Sequence, residues 1–234
     1  MEAIVRRIFF DSGMVLVYPV SGDWFAPAVL VDRCAERGVA LGSMRARMNL
    51  RRAQAYLDDN HSIQTEDEEY GQFVEYYRIL FDGLDGLGSS DLVRECARAK
   101  VRDYDAYRFY PDVGESIARL GRAYRLGIIS DAWPSIFGVY RKSGLLGSFD
   151  PFVVSSVHGV TKERKTLFDI ALAGIDEEPG ECLFVDDSVV NCRIAMRKGM
   201  RAVAMCRGGA PMRKWGIPAV RDMAELEAMI ESMA

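Results

Sequence analysis

The sequence predicts an α/β protein, a doubly wound parallel sheet with a run of helices inserted after its first strand. Three observations carry this. From Tyr110-Pro111-Asp112 onward helices and strands alternate, the rhythm that right-handed crossovers impose on a parallel sheet. From Asp23 to about Asp103 only helical spacing is found. Three strands far apart in the chain end alike, with apolar residues followed by a polar one.

The elements follow in order. Ile8 to Phe10 reads as a buried strand that stops at Asp11, after which the small residues Ser12 and Gly13 let the backbone turn and leave room for a ligand. Val15 to Val20 stays apolar and reads as a flap or hairpin ending in Tyr18-Pro19-Val20-Ser21-Gly22. Trp24 to Arg37 has helical spacing and a glycine C-cap at Gly38. Ser43 to Leu57 carries Met44, Met48, Ala55 and Leu57 among Arg45, Arg47, Arg51 and Arg52. Thr65-Glu66-Asp67-Glu68 is a capping box, and its helix buries Phe73, Tyr76, Tyr77, Leu80 and Phe81. Gly83 to Ser90 breaks the pattern, and Asp91 to about Val101 makes one more helix. Then come helix Val113–Tyr124, strand Leu126–Ile129 ending at Ser130-Asp131, helix Pro134–Lys142, and strand Phe152–Val154 ending at Ser155-Ser156. Helix Arg164–Ala173, strand Cys182–Val185 ending at Asp186-Asp187, helix Val189–Lys198, strand Ala202–Met205 and a terminal helix Met223–Met233 complete the chain. The expected division is an α/β core of residues 1–20 and 105–234, with residues 21–104 as the helical insertion, the joins near Pro19–Gly22 and Tyr104–Pro111 acting as hinges.

The bulk numbers narrow the function classes. A chain of 234 residues can bury one core plus a smaller lobe, and 49% apolar with 27% charged residues is an ordinary globular balance. A net charge of −4 argues against a nucleic-acid binder held by counterion release. No apolar run approaches the roughly 18 residues that span a bilayer, so no membrane association is expected. Met1 to Arg7 leads into the first strand without signal-peptide architecture. Cys34, Cys96, Cys182, Cys192 and Cys206 are odd in number and scattered, which suits reduced thiols of a cytoplasm. His61 and His158 are too few and too far apart for a histidine metal centre.

In a parallel sheet the carboxyl ends of the strands share one rim, where Asp11, Ser130 and Asp186-Asp187 can meet, with Lys162 in reach from its loop. Three carboxylates in one place repel unless a cation joins them. Hard oxygen ligands with room left for water and phosphate describe Mg²⁺. Lys162 adds a point charge and Ser130 a hydrogen bond for a phosphoryl oxygen, leaving Asp11 to act as a carboxylate nucleophile through an aspartyl-phosphate. Plainer readings stand beside these. Asp187 or Ser188 can N-cap the Val189 helix, Asn191 can face the metal or bind backbone, and Lys162 can be a solvated loop lysine. Arg45, Arg47, Arg51 and Arg52 can line a phosphate-facing surface or a solvated helix face, and Trp24 and Phe25 can touch substrate or pack. His158 reads as a surface loop residue.

The chain resembles the haloacid dehalogenase (HAD) superfamily, in the subfamily with a helical cap inserted after the first strand. Phe9-Phe10-Asp11-Ser12-Gly13-Met14-Val15-Leu16 matches its nucleophile motif, Gly127-Ile128-Ile129-Ser130 its second, and Lys162 its lysine. Leu183-Phe184-Val185-Asp186-Asp187-Ser188-Val189-Val190-Asn191 matches the metal-binding acidic pair, and Ala195-Met196-Arg197-Lys198-Gly199-Met200 continues in family style. The likeness covers both core segments, whereas the insertion matches only in length and helicity. It implies a Rossmann-like core with an all-helical cap that closes over the site, excludes water and picks the substrate. It also implies a Mg²⁺-dependent phosphomonoester hydrolase acting on a small, sugar-phosphate-like metabolite. Asp11, Ser130 and Lys162 would be catalytic, Ser12, Gly13 and Asp131 would join Ser130 and Lys162 around the substrate, and Asp11, Asp186, Asp187 and the Gly13 carbonyl would hold the metal. The departure is Gly13, where most family phosphatases and mutases carry an aspartate as general acid and base, a function typically worth about 10²- to 10⁴-fold in rate. Some sugar-phosphate phosphatases also have glycine there, whereas a mutase would need the acid twice. Asp131 is the nearest substitute acid, or else a cap for the helix near Pro134. The alternatives are a weakly active or non-catalytic ligand- or partner-binding protein, and a carbon–halogen dehalogenase, which needs no metal-binding pair.

Overall fold

The computed structural model describes residues 4–164, 166–209 and 216–232. In chain order the elements are β1 (Arg7–Phe10), β2 (Val17–Pro19), α1 (Ala28–Arg37), α2 (Met44–Asp59), α3 (Glu66–Leu80), α4 (Ser90–Arg102), β3 (Tyr107–Phe109), α5 (Val113–Leu120), β4 (Arg125–Ser130) and α6 (Ser135–Ser143). They continue as β5 (Phe152–Val154), α7 (Ser155–His158), α8 (Thr166–Ala173), β6 (Cys182–Asp186), α9 (Val189–Arg197), β7 (Arg201–Met205), β8 (Ala219–Val220) and α10 (Met223–Glu231). Met1–Ala3, Lys165 in the helix expected from Arg164, and Met233 in the expected terminal helix lie outside the described residues.

The predicted doubly wound sheet is present. Six parallel strands run in the order β5-β4-β1-β6-β7-β8, and β2 pairs with β3 separately. The winding reverses at β1, which lies between β4 and β6 with Phe10 opposite both Ile128 and Val185. That reversal is the position where open α/β sheets bind ligands. Helices on both faces explain why β1 and β6 are buried at every residue and read as continuous apolar runs. Phe9, Ile129, Val153, Leu167, Phe168, Phe184 and Ile194 pack together in this core. Gly127 has a packing reason, because a Cβ there would lie 2.5 Å from the Phe9 ring.

The chain divides into two compact units. The α/β unit holds residues up to Tyr18, Phe109–Ala132 and those from Tyr140 onward; the helical unit holds Pro19–Arg108 and Trp133–Val139. The short segment 133–139 is placed with the helices by contacts the sequence reading did not foresee. Trp133 packs edge-on against Phe25 and Phe73, and its Nε1 donates to Gln72 at 2.7 Å. The Thr65–Glu68 capping box forms with both of its reciprocal bonds, and Gly38 closes α1 in the left-handed region at φ 64°. Helix α1 starts at Ala28 and not at Trp24, because Pro27 disfavours helical geometry at the residue before it. Strand β8, only two residues long, is too short to show a period.

One buried acid in the helical unit is unexpected. Glu69 has no exposed surface, and its carboxylate accepts from both the Ser135 N–H and Oγ at 2.7 Å, so α6 is capped by a residue 66 positions away. Lys100, also buried, holds its ammonium 4.8 Å from the Phe73 ring and 5.3 Å from that of Tyr107. Burial pushes the Glu69 carboxyl up to about 7 from 4.5, against the opposing pull of Lys100 and Ser135. The folded protein therefore holds this proton between pH 4.5 and 7 where an unfolded chain has released it. Its contribution is complete below pH 4.5 and is lost as pH rises through 7, a change of about 3 kcal/mol. In urea titrations from pH 4 to 8, wild-type stability should fall relative to Glu69→Gln by that order. A pH-independent difference between the two proteins would refute it.

Candidate active site

The rim assembles as the strand register dictates. The Asp11 N–H donates to Val185 O at 2.8 Å, which sets Asp11 beside the end of β6, while β4 delivers Ser130 from the other side. Ser130 Oγ donates to Asp11 Oδ1 at 2.8 Å. The Lys162 ammonium stands 2.9 Å from the same Oδ1 and 2.7 Å from Asp186 Oδ2. Among the described residues no donor is bonded to Asp11 Oδ2. One oxygen of the carboxylate is thus anchored twice. Burial, partly offset by Lys162, raises the Asp11 carboxyl above the usual range. For Lys162, burial alone would lower the ammonium, but the Asp11 and Asp186 carboxylates outweigh it and keep it charged.

The two aspartates that end β6 are not equivalent. Asp186 is fully buried, and besides Lys162 it accepts from the Ser188 N–H at 2.7 Å and from Asn191 Nδ2 at 3.3 and 3.2 Å. Asp187 is exposed. Ser188, not Asp187, N-caps α9 by accepting from the Asn191 N–H. Asn191 turns its amide to the Asp186 side chain. Lys162 is buried and not a solvated loop lysine. Asp11, Asp186 and Asp187 each offer a carboxylate oxygen, all within 4.8 Å of one another.

The turn after Asp11 is held from two sides by residues the sequence reading missed. Met14 sits in the left-handed region at φ 56°, and the N–H groups of Leu16 and Val17 both donate to Ser12 O at 3.0 Å. The Ser12 hydroxyl is 2.9 Å from the buried Tyr140 hydroxyl, so that side chain is engaged within the core. Arg207 donates to Val15 O through Nε at 3.1 Å and a terminal nitrogen at 2.9 Å, and its other terminal nitrogen binds both Asp112 oxygens at 2.8 and 2.7 Å. Burial opposes the Asp112 charge, but Arg207 holds the carboxyl below its ordinary value. Arg207 follows another strand ending on the same rim, a signal that was readable. Tyr140 lies inside a helix and carried no signal.

Asp131 does not cap α6; its Oδ1 accepts from the Lys162 N–H at 3.0 Å, while Ser135 is capped by Glu69. The four arginines lie on an exposed face of α2, where Arg52 pairs with Asp82 and Arg47 donates to Gly42 O. Trp24 stacks on Tyr107 and Phe25 packs with Phe73 and Tyr76, all within the helical unit. His158 is exposed at the end of α7. The five cysteines are free thiols, and among the described residues no helix is long and apolar enough to cross a membrane.

No curated protein matches the chain in sequence. Among solved structures, a HAD phosphatase from Thermococcus onnurineus is similar at 22% identity, with TM-score 0.67 over 97% of this chain and 98% of that one. A 2-haloacid dehalogenase from Pseudomonas syringae pv. Tomato DC3000 is 18% identical, with TM-score 0.69 over 99% and 100% of the two chains. A Bacillus subtilis HAD hydrolase solved with magnesium is 16% identical, with TM-score 0.64 over 97% and 99%. At such identities these likenesses establish the fold. The sequence profile for haloacid dehalogenase-like hydrolases matches residues 7–196, most of the chain, with Asp11, Ser130, Lys162, Asp186 and Asp187 inside the match. The chain belongs to the haloacid dehalogenase-like hydrolase family.

Proposed function

We propose that this protein is a Mg²⁺-dependent phosphomonoester hydrolase that works through an aspartyl-phosphate on a small phosphorylated metabolite. The observation that carries the reading is the Asp11 carboxylate, with Oδ1 held by Ser130 and Lys162 and Oδ2 unbonded, inside a cluster of three acids. Three carboxylates against one ammonium leave an excess of negative charge that would repel a phosphate dianion, and their hard oxygens suit a divalent cation. Asp11, Asp187 and the Gly13 carbonyl would hold it. Asp186, expected from the sequence as a ligand, also accepts from Lys162, Ser188 and Asn191 and so orients Lys162 beside the cluster. When bound, Mg²⁺ would neutralise the cluster and polarise a phosphoryl oxygen.

An Asp11 oxygen attacks phosphorus as the bond to the leaving oxygen breaks, with Ser130 and Lys162 steadying the phosphoryl oxygens. Water then attacks the phosphorus, inorganic phosphate departs and the carboxylate is restored. Gly13 supplies no proton at either step, so the leaving oxygen takes its proton from solvent. Esters of acidic alcohols should therefore react faster than simple alkyl phosphates. Dehalogenase chemistry is the second reading, favoured by Gly13 and by the similarity to the Pseudomonas enzyme.

Phosphate release from p-nitrophenyl phosphate with Mg²⁺, lost on chelation, is the expected result. Metal-independent halide release from 2-chloropropionate would establish the second reading instead. Silence across a panel of sugar phosphates, nucleotides and phosphoglycolate-like acids would leave a binding protein.

A further inference from the structure

We propose that Asp131 is the positioning residue for Lys162. The proposal deepens the phosphatase reading and rests on it for its kinetic half.

Lys162 poses a structural problem. It lies in an irregular stretch between α7 and α8, yet its ammonium is buried between Asp11 and Asp186 at 2.9 and 2.7 Å. A lysine stem has four rotatable bonds, so an ammonium held this closely needs its backbone held as well. The upstream part of the loop is tied to α7: the Val160 N–H donates to Ser155 O at 3.1 Å, just after Gly159 ends that helix at φ 65°. At Lys162 itself the anchor is Asp131, whose Oδ1 accepts the Lys162 N–H at 3.0 Å.

Asp131 is in turn a fixed platform. It directly follows Ser130 and directly precedes Ala132. The Ala132 N–H donates to Ser155 Oγ at 3.0 Å, and Ala132 O accepts from the Ser156 N–H at 3.3 Å. One end of β4 therefore governs both groups on Asp11 Oδ1, presenting Ser130 directly and Lys162 through the Asp131 carboxylate. Accepting the Lys162 N–H commits Oδ1 as an acceptor, whereas a general acid would work through a proton on Oδ2 aimed at the leaving oxygen.

The two roles separate by substitution. Asparagine keeps an acceptor oxygen and has no acidic proton, whereas alanine has neither. With p-nitrophenyl phosphate and Mg²⁺, Asp131→Asn is expected to keep kcat within about threefold of wild type and Asp131→Ala to lose roughly tenfold or more, mainly in kcat. Amide hydrogen exchange at Lys162, read by NMR on the same proteins, should quicken about tenfold in Asp131→Ala and stay near wild type in Asp131→Asn. That second measurement needs no turnover, so it tests the anchor even if wild type hydrolyses nothing. Exchange at Lys162 that does not respond to Asp131→Ala would overturn the anchor. Equal kcat losses in both variants would overturn the positioning role and restore Asp131 as the acid.

Discussion

Asp11→Asn is expected to lower phosphatase turnover by roughly 10⁴-fold or more, the scale seen when an enzyme loses its nucleophile. The variant should fold at least as well as wild type, and that pairing of outcomes makes the test specific. Asn is isosteric with Asp, and its oxygen can still accept from Ser130, whose bond to Asp11 Oδ1 is 2.8 Å. It also removes one charge from a place where burial raises the carboxyl pKa, that is, where ionisation works against folding. Lys162 keeps Asp186 as its partner at 2.7 Å. If Asp11 is the nucleophile, its carboxylate costs the fold some stability, as active sites commonly do. Thermal denaturation at pH 8 and p-nitrophenyl phosphate kinetics on freshly purified protein check both halves. A variant that retains even a hundredth of the wild-type kcat would remove Asp11 from the nucleophile's role.

Those parts of the fold set by local chemistry were legible in the chain. The alternation of apolar runs after Tyr110 specifies a parallel sheet whatever the tertiary detail, and the capping box at Thr65–Glu68 and the cap at Gly38 are decided within a few residues. The rim was legible for the same reason. Asp11, Ser130 and Asp186 each end a strand, and one parallel sheet brings such ends together. What was hidden depends on contacts between distant residues. Helix α6 was placed to within a residue, but the acceptor at its first N–H, Glu69 from α3, could be seen only with both helices in place. Trp133–Val139 joins the helical unit through side chains that no periodicity reveals. The difference in burial and bonding between Asp186 and Asp187 was equally invisible, since both are acids at a strand end. It became readable only once Lys162 and Asn191 were found on the first of them. Gly13 was the opposite case: its lack of an acidic side chain is complete information in the sequence.

Lys162→Met is the second large expectation, and it acts on stability before it acts on rate. The ammonium is the cation between Asp11 and Asp186, at 2.9 and 2.7 Å, with its side chain 3% exposed. Removing one member of a buried charge cluster leaves the others uncompensated, which typically costs about 3–5 kcal/mol. Methionine fills much the same volume as the lysine stem, so lost packing is a small part of the effect. In urea denaturation at pH 7 without divalent cations, the variant should lose stability of that order. Adding Asp186→Asn should return part of it, because the second substitution removes one of the two stranded charges and the pair is coupled. A loss under about 1 kcal/mol would mean that water reaches the carboxylates and screens them, and Lys162 would then be an ordinary loop lysine. If the large loss is found, the ammonium proposed to steady the transferring phosphoryl group also holds the acidic rim together before any ligand arrives. Substitutions there must then be compared at matched folded fraction, because a fall in kcat measured on a partly unfolded population would credit catalysis with an effect that belongs to the fold.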